Sequence, residues 1–174
     1  MNKIVFIGYM GSGKTTIAQL LSQKLNLPFE DLDQIIENEK KSSIKSIFET
    51  KGEVYFRKLE HSTLKNFIES NEKFILSLGG GTPCYANNIN LLKEKGCVII
   101  YLNASLDELY NRLALISNKI QRPLIADLNT NEIKDFIAKQ LFERNYFYNQ
   151  ANMIIKVDNK SIVEIVDEIE NLLI

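Results

Sequence analysis

The amino-acid sequence is poor in the residues that most often build metal centres and disulfide frameworks. It has one histidine and two cysteines among 174 residues. Cys84 and Cys97 lack the C-x-x-C spacing, so we expect two free, reduced thiols. The single histidine, His61, follows Glu60 in a predicted helix, and we interpret it as a surface residue. The sequence therefore predicts neither a histidine-based metal site nor a catalytic histidine.

Strong net charge and long apolar runs are also missing. The formal net charge is −1, so no basic field favours nucleic-acid binding. No apolar stretch approaches the ~20 residues that a membrane-spanning helix needs. Without repeats, low-complexity tracts or linkers, residues 1–174 are expected to form a single domain. Because the chain passes directly into a predicted strand, we expect no signal peptide and a cytoplasmic monomer that binds neither nucleic acid nor membranes.

A glycine-rich stretch, residues 8–15, fits the pattern G-x-x-x-x-G-K-[ST]. It follows an apolar run typical of a buried parallel strand and precedes apolar residues at helical spacing. Glycines let backbone amides approach a phosphate closely, and these amides together with the positive helix end form an anion site. A glycine-rich turn that matches by chance is the alternative, and the required lysine and threonine disfavour it. The pattern thus predicts a nucleoside triphosphate site.

The residue types within this loop predict how it would hold the nucleotide. Lys14 is long enough to reach the β- and γ-phosphates, and the Thr15 hydroxyl can ligate Mg²⁺. The predicted phosphate-binding residues are Gly11, Ser12, Gly13, Lys14, Thr15 and Thr16.

Short apolar runs alternate with helical stretches along the chain, which predicts a parallel sheet covered by helices. The predicted strands are residues 3–7, 28–30, 74–78, 97–102 and 153–157. Ser105 with Glu108, and Ser161 with Glu164, have the spacing of capping boxes. Residues 115–128 lose clear periodicity, and a segment of that length is often a lid. The predicted fold class is α/β, a P-loop NTPase-type three-layer α/β/α domain with a five-stranded parallel sheet and a lid loop, similar to nucleoside monophosphate kinases.

Two acidic residues, Asp31 and Asp33, follow the predicted second strand. On an extended segment their side chains would point to the same side, at the carboxyl edge where sites in such sheets lie. One carboxylate could serve a metal and the other could orient a hydroxyl group. A polar helix N-terminus is the alternative, because aspartate is favoured there. The nearby phosphate loop favours the interpretation as a site.

Three consecutive glycines, Gly79, Gly80 and Gly81, follow the predicted third strand. They could form only a tight turn, or they could let a substrate touch bare backbone. Three in a row exceed what a turn usually requires. We therefore favour close approach to the backbone.

Three arginines are candidates for binding anions. Arg57 and Arg144 lie in predicted helices, and Arg122 precedes Pro123 in the predicted lid. The alternative for each is an ordinary exposed charge paired with a neighbour, which is the common case. The residue types alone leave both interpretations open.

Together these motifs resemble the shikimate kinase family, and the likeness extends from the first strand to the last helix. The phosphate loop is shared by many enzymes, whereas the combination of the other motifs is specific. In family order they are D-x-D at 31–33, F-R-x-x-E at 56–60, G-G-G at 79–81, R-P-L at 122–124, and Arg144 with Tyr148 and Ala151.

The resemblance implies a kinase that transfers phosphate from ATP to the 3-hydroxyl of shikimate, with Mg²⁺ as cofactor. This reaction is a step toward chorismate and the aromatic amino acids. Asp33 would bind the shikimate hydroxyls and help to deprotonate the attacking one. Asp31 and Thr15 would hold the metal.

The resemblance also implies an acceptor site built mainly from the helices in residues 33–61. Arg57 and Arg144 would clamp the shikimate carboxylate, since paired guanidinium groups suit a carboxylate better than lysines do. The three glycines 79–81 would lie along the substrate, and Arg122 on the lid would reach the phosphates. The implied catalytic residues are Lys14, Asp33 and Arg122.

Two other functions stay open at the level of sequence. Another small-molecule kinase of this fold, such as a gluconate-type enzyme, would use an acceptor without a carboxylated ring, which the paired arginines disfavour. A regulatory module would bind ATP without transferring phosphate and would need no acceptor site. One departure from the family pattern concerns adenine: residues 115–121 lack the additional arginine that many members carry there, and Arg112 is the nearest one upstream.

Overall fold

The computed structural model describes residues 3–114 and 129–173, so the predicted lid 115–128 and Arg122 lie outside the described residues. The strands are β1 (Lys3–Ile7), β2 (Phe29–Asp31), β3 (Phe74–Ser77), β4 (Val98–Asn103) and β5 (Met153–Lys156). The helices are α1 (Lys14–Leu25), α2 (Leu32–Lys40), α3 (Ile44–Lys51), α4 (Glu53–Ser70), α5 (Asn88–Glu94), α6 (Leu106–Ala114), α7 (Thr130–Tyr148) and α8 (Ile162–Leu173).

The five strands form one parallel sheet in the order β2-β3-β1-β4-β5. Because all pairs are parallel, every strand ends at the same edge of the sheet. β2 and β3 lie on one side of β1, and β4 and β5 lie on the other. The chain order therefore reverses at β1, and such reversals open a crevice at the carboxyl ends of the strands. The phosphate loop begins at this crevice.

Hydrophobic side chains fill both faces of the sheet. Along β1, Ile4 and Phe6 join the cluster under α1, α6, α7 and α8, whereas Val5 and Ile7 join the cluster under α2 to α5. None of the helices in the described ranges is long and apolar enough to cross a membrane. The two clusters confirm the predicted three-layer α/β/α arrangement and explain why β1 is an unbroken apolar run.

The two predicted capping boxes have different outcomes. At α8, the Ser161 N–H donates to Glu164 Oε2 (2.7 Å) and the Glu164 N–H donates to Ser161 Oγ (3.3 Å), which confirms the box. At α6, the Glu108 N–H donates to Ser105 Oγ (3.2 Å), but the Ser105 N–H donates to Asp158 Oδ1 (3.0 Å). The prediction of a reciprocal box was wrong there, because Asp158 already satisfies the backbone group that Glu108 would have capped.

The cysteine prediction is confirmed within the fold. Both Cys84 and Cys97 are free. Burial raises the pKa of each thiol to about 11. Both side chains are therefore neutral thiols at physiological pH and unreactive as nucleophiles.

Candidate active site

The predicted functional elements meet at one cleft on the carboxyl edge of the sheet. A cavity of about 1290 Å³ is lined by Asp31, Asp33, Arg57 and Arg144 among other residues. A second cavity of about 410 Å³ is lined by the phosphate loop, Gly79 and Gly80, and it shares Thr15 and the two aspartates with the first. The cleft thus has a phosphate-binding side and a side with paired cationic groups.

The phosphate loop has the backbone conformation that its glycines predict. Gly11 and Gly13 have φ values of 83° and 95°, in the left-handed region that other residues rarely adopt. α1 begins at Lys14, within the predicted loop 8–15, so its positive N-terminus lies directly at the loop. Ser12 is fully buried, and its N–H donates to Tyr9 O (3.2 Å) inside the loop. Thr16 is exposed and lines the smaller cavity.

Lys14 lies across the loop as a largely buried cation. Its Nζ donates to Gly8 O (2.8 Å) and to Tyr9 O (2.9 Å). The ammonium group is therefore positioned by the protein backbone at the cavity where phosphates would bind.

A second cation, Arg112 of α6, contacts the same loop and was not predicted to do so. Its Nη1 donates to Gly11 O (3.0 Å), and its Nε donates to Glu108 Oε1 (2.7 Å). The only sequence signal was the i,i+4 spacing of Glu108 and Arg112, which is typical of a surface ion pair. The contact with the loop depends on tertiary packing, which brings Leu113 of α6 next to Gly11.

The acidic pair combines both interpretations that the sequence left open. Asp31 is the N-cap of α2, and its Oδ1 accepts from the Asp33 N–H (3.0 Å). Its other oxygen, Oδ2, accepts from Thr15 Oγ1 (3.3 Å), so capping leaves an oxygen facing the phosphate loop. The premise of an extended segment was wrong, because α2 begins at Leu32 and Asp33 lies in its first turn. Both carboxylates nevertheless line the cleft.

The environment of Asp33 favours its protonated form. Burial raises its pKa to about 7, and the negative charges of Asp31, Glu60 and Glu37 act in the same direction, while Lys14 opposes them. A carboxyl group with this pKa is present in both protonation states near neutral pH. It is suited to accept a proton from a hydroxyl group.

Each glycine of the triplet lies against one of the predicted acceptor residues. A Cβ atom on Gly79 would lie 3.2 Å from Asp33 Oδ1, and one on Gly80 would lie 3.2 Å from Arg144 Nη1. On Gly81 it would lie only 2.8 Å from Arg57 Nη2. The glycines therefore permit close approach of the chain's own functional side chains, whereas the predicted contact of a substrate with their backbone stays a prediction.

Replacing Gly81 by alanine is expected to displace Arg57 while the fold persists. The new methyl group would overlap the flexible end of the arginine, so the guanidinium group must move. We expect about a ten-fold rise in the KM for shikimate, the acceptor that the sequence resemblance implies, because a charge-assisted contact is weakened. Steady-state kinetics would test this, with Gly96→Ala as a control for lost stability alone, since its φ of 69° strains an alanine while the added Cβ has no atom within 4 Å. An unchanged KM would contradict the expectation.

Arg57 is held by a buried polar network that sequence reasoning missed. Its Nη1 donates to Glu60 Oε2 (2.9 Å), and Thr82 Oγ1 donates to Glu60 Oε1 (2.6 Å). Asn88 Nδ2 donates to Thr82 O (2.8 Å), and His61 Nδ1 donates to Asn88 Oδ1 (2.7 Å). His61 is thus half-buried in a network, rather than the simple surface residue that we expected. The F-R-x-x-E spacing was the only sequence signal for Glu60.

Arg144 projects from α7 into the same cavity and is half-buried. Its Cζ lies 5.5 Å from the centre of the Tyr9 ring, and the Tyr9 hydroxyl donates to Gln140 Oε1 (2.8 Å). One turn further, the buried Tyr148 hydroxyl donates to Gly80 O (2.6 Å), and burial raises its pKa, which keeps the proton in place. These contacts disfavour the interpretation of Arg144 as an ordinary exposed charge.

Comparison with known proteins agrees with this arrangement. The family model for shikimate kinase matches residues 10–173. The chain is 53% identical over 173 residues to the shikimate kinase of Flavobacterium johnsoniae, with 99% of each protein covered. A crystal structure of shikimate kinase from Bacteroides thetaiotaomicron has a TM-score of 0.90 at 35% identity, with 99% of each chain covered. A shikimate kinase from Acinetobacter baumannii in complex with shikimate has a TM-score of 0.87 at 29% identity, covering 99% of this chain and 93% of that one.

These matches extend over nearly the whole length of this chain and of the proteins compared with it. They coincide with a cleft in which a phosphate loop faces two arginines and a carboxyl group of raised pKa. Fold, site and sequence similarity lead to the same conclusion: the chain belongs to the shikimate kinase family.

Proposed function

We propose that this protein transfers the γ-phosphate of ATP to the 3-hydroxyl of shikimate. The observation that carries the proposal is that Arg57, Arg144 and Asp33 line one cavity beside the phosphate loop. Shikimate is a small ring with one carboxylate and several hydroxyls, and planar guanidinium groups bind carboxylates with paired hydrogen bonds. The family membership of the chain and the Acinetobacter baumannii complex with shikimate support this acceptor.

The positions of the acceptor residues support the roles that we assign to them. Arg57 and Arg144 bind the carboxylate and thereby orient the ring. Asp33, which lines both cavities, binds the attacking hydroxyl and accepts its proton. Gly79 and Gly80 line the phosphate-binding side of the cleft, next to Asp33 and Arg144. Holding both reactants in line supplies much of the rate enhancement in phosphoryl transfer.

Lys14 and the loop amides bind the phosphates on the other side of the cleft. Lys14 opposes the negative charge that develops on the transferring group. We assign the same task to Arg122, which lies outside the described residues. The lid at 115–128, the cytoplasmic location and the monomeric state also stay predictions.

The chain offers oxygen ligands that fit Mg²⁺. The Thr15 hydroxyl and the Asp31 carboxylate lie 3.3 Å apart at the mouth of the phosphate loop. No cluster of three or more His, Cys, Asp or Glu side chains suited to a metal occurs in residues 3–114 and 129–173. Mg²⁺ needs no such cluster, because it is usually held by one or two protein oxygens together with phosphates and water. When bound, Mg²⁺ would neutralise phosphate charge, and Thr15 and Asp31 would hold it.

An acceptor panel tests the proposed function directly. ADP release from ATP is measured with shikimate, with gluconate, with nucleoside monophosphates, and without an acceptor. We expect turnover with shikimate to exceed that with every other acceptor by orders of magnitude. Equal or better turnover with gluconate or a nucleoside monophosphate would identify a different kinase. Binding of ATP without acceptor-dependent ADP release would identify a regulatory module.

Arg57→Ala is expected to weaken shikimate binding by roughly 2–3 kcal/mol, or about 30- to 150-fold, because a charge-assisted contact is lost. Affinity for ATP should not change. The measurement is shikimate titration by calorimetry, with Lys58→Ala, an exposed cation on the same helix, as the matched control. Since Arg57→Ala leaves the buried Glu60 without its cationic partner, Arg57→Lys provides a second variant that keeps the charge but loses the planar fork. Unchanged affinity in both variants would remove Arg57 from the clamp.

A further inference from the structure

The guanidinium group of Arg57 is surrounded by aromatic rings. Its Cζ lies 4.0 Å from the centre of the Tyr85 ring, 5.2 Å from that of Phe56 and 5.8 Å from that of Phe48. All three distances are within the range of about 6 Å over which a cation is attracted to an aromatic face. Tyr85 is the nearest and the only one of the three that does not come from α3 or α4.

Tyr85 reaches Arg57 from the segment that follows the glycine triplet. The short 3₁₀ turn Thr82–Cys84 ends at Tyr85, and the Cys84 N–H donates to Gly81 O (2.9 Å). The same turn carries Thr82, which donates to Glu60. One short segment therefore supplies an aromatic face to Arg57 and a hydrogen bond to Glu60, the buried ion-pair partner of Arg57.

The stacked pair separates two cavities. The main cavity of about 1290 Å³ and a third, outer cavity of about 610 Å³ are both lined by Tyr85, Arg57 and Glu53. The other walls of the outer cavity include Val54 and Lys58. If the Tyr85 ring were removed, the guanidinium group of Arg57 could turn into this outer cavity. Tyr85 thus lies where it limits that movement.

The polar contacts alone do not fix the plane of the guanidinium group. Glu60 holds Nη1 at 2.9 Å, while the contact of Nε with Glu53 is longer, 3.4 Å, and Glu53 is exposed. Such an exposed pair contributes little, and a single strong contact at one nitrogen permits rotation about that nitrogen. Stacking on a flat ring restricts the plane directly.

We propose that Tyr85 is a positioning residue that stacks on Arg57 and holds the plane of its guanidinium group towards the acceptor carboxylate. The inference rests on the proposed function, because it takes Arg57 to be a carboxylate ligand. Holding the group in its binding orientation before the acceptor arrives reduces the ordering that binding requires. Tyr85 therefore acts on acceptor affinity and has no part in the phosphoryl transfer step.

Tyr85→Ala is expected to weaken shikimate binding about five-fold, which is the size of a partly exposed cation–aromatic contact. The kcat at saturating shikimate and the affinity for ATP should stay at the wild-type values. Tyr85→Phe should restore shikimate affinity, because the ring remains. Tyr55→Ala is the matched control, since Tyr55 is 43% exposed and Tyr85 is 40% exposed. A wild-type affinity in Tyr85→Ala, or a loss in kcat alone, would overturn the proposal.

A double-mutant cycle shows whether Tyr85 acts through Arg57. If it does, Tyr85→Ala should have no further effect on shikimate affinity in the Arg57→Ala background, or in the equally uncharged Arg57→Met should the first variant not fold. The same five-fold loss in both backgrounds would mean that Tyr85 contacts the acceptor itself, which contradicts a positioning role. If the single variant of Arg57 bound shikimate as tightly as wild type, Arg57 would not bind the carboxylate and the proposed function of the site would fail. If that variant lost shikimate affinity but Tyr85→Ala did not, only the role of Tyr85 would be refuted.

Discussion

Lys14→Ala is expected to lower kcat by about 10²–10³, the effect of removing one preorganised charge from a transition state. The Nζ of Lys14 is fixed by the carbonyl groups of Gly8 and Tyr9, so the cation is in place before phosphate charge develops. ADP release at saturating ATP and shikimate measures the effect.

The matched control for this variant is Lys24→Ala, at the other end of α1. Lys24 forms exposed ion pairs with Asp167 and Glu170 and lies far along the helix from the phosphate loop. We expect wild-type kcat for Lys24→Ala, since exposed ion pairs contribute little. A Lys14→Ala protein that retains kcat within a factor of about three would show that Lys14 does not carry the charge compensation assigned to it.

Asp33→Asn is expected to lower kcat/KM for shikimate by about 10²–10⁴ at pH 8, because the amide cannot accept the hydroxyl proton. In the wild-type protein the active form has the carboxylate ionised, and burial raises the pKa of Asp33 to about 7. The rate should therefore rise with pH up to about 7 and then level off. The variant should lack this inflection. A flat profile for the wild-type enzyme over pH 5.5–8.5 would contradict the role of Asp33 as the base.

The same substitution should increase stability at high pH, which separates lost activity from misfolding. The pKa of Asp33 in the folded protein, about 7, lies above the ordinary value of about 3.9. Between these values the folded state binds more protons than the unfolded state, so stability falls as pH rises through that window. Asp33→Asn should thus have a higher Tm than wild type at pH 8, and the difference should shrink towards pH 4. Asp135→Asn, an exposed change on α7, is the control and should show no such dependence.

The strand–loop–helix unit around residues 8–15 was predictable because its parts are adjacent in the chain. The buried run of β1 requires helices on both faces, and positive φ values at Gly11 and Gly13 require residues without a Cβ atom. Such requirements act over a few residues and leave a direct pattern in the sequence. The family resemblance then carried the same reasoning to the acceptor residues.

The acidic pair shows where reasoning from local pattern fails. The sequence placed Asp31 and Asp33 at the correct edge of the sheet, but the assumed extended geometry was wrong because α2 begins at Leu32. Asp31 also serves two purposes with two oxygens, one to cap the helix and one towards Thr15. Helix boundaries depend on capping contacts, and propensity alone does not determine which of two adjacent residues ends a strand.

The contacts that build the acceptor side depend on residues distant in the chain. Thr82 and Glu60 are 22 positions apart, and Tyr148 and Gly80 are 68 apart. Nothing in the local sequence around Tyr85 or Arg112 indicates that these side chains contact Arg57 and the phosphate loop. Only the packing of α4, α6 and α7 on the sheet brings them there.

From the sequence alone one could determine the parallel sheet, the phosphate loop, the residue types of the cleft and the family. The tertiary structure alone decided which arginine faces which glycine, which carboxyl group is buried enough to have a pKa of about 7, and which ring stacks on Arg57. The physical reason is that backbone conformation and hydrophobic periodicity are properties of short segments. Burial, charge proximity and stacking arise only when segments far apart in the chain pack together.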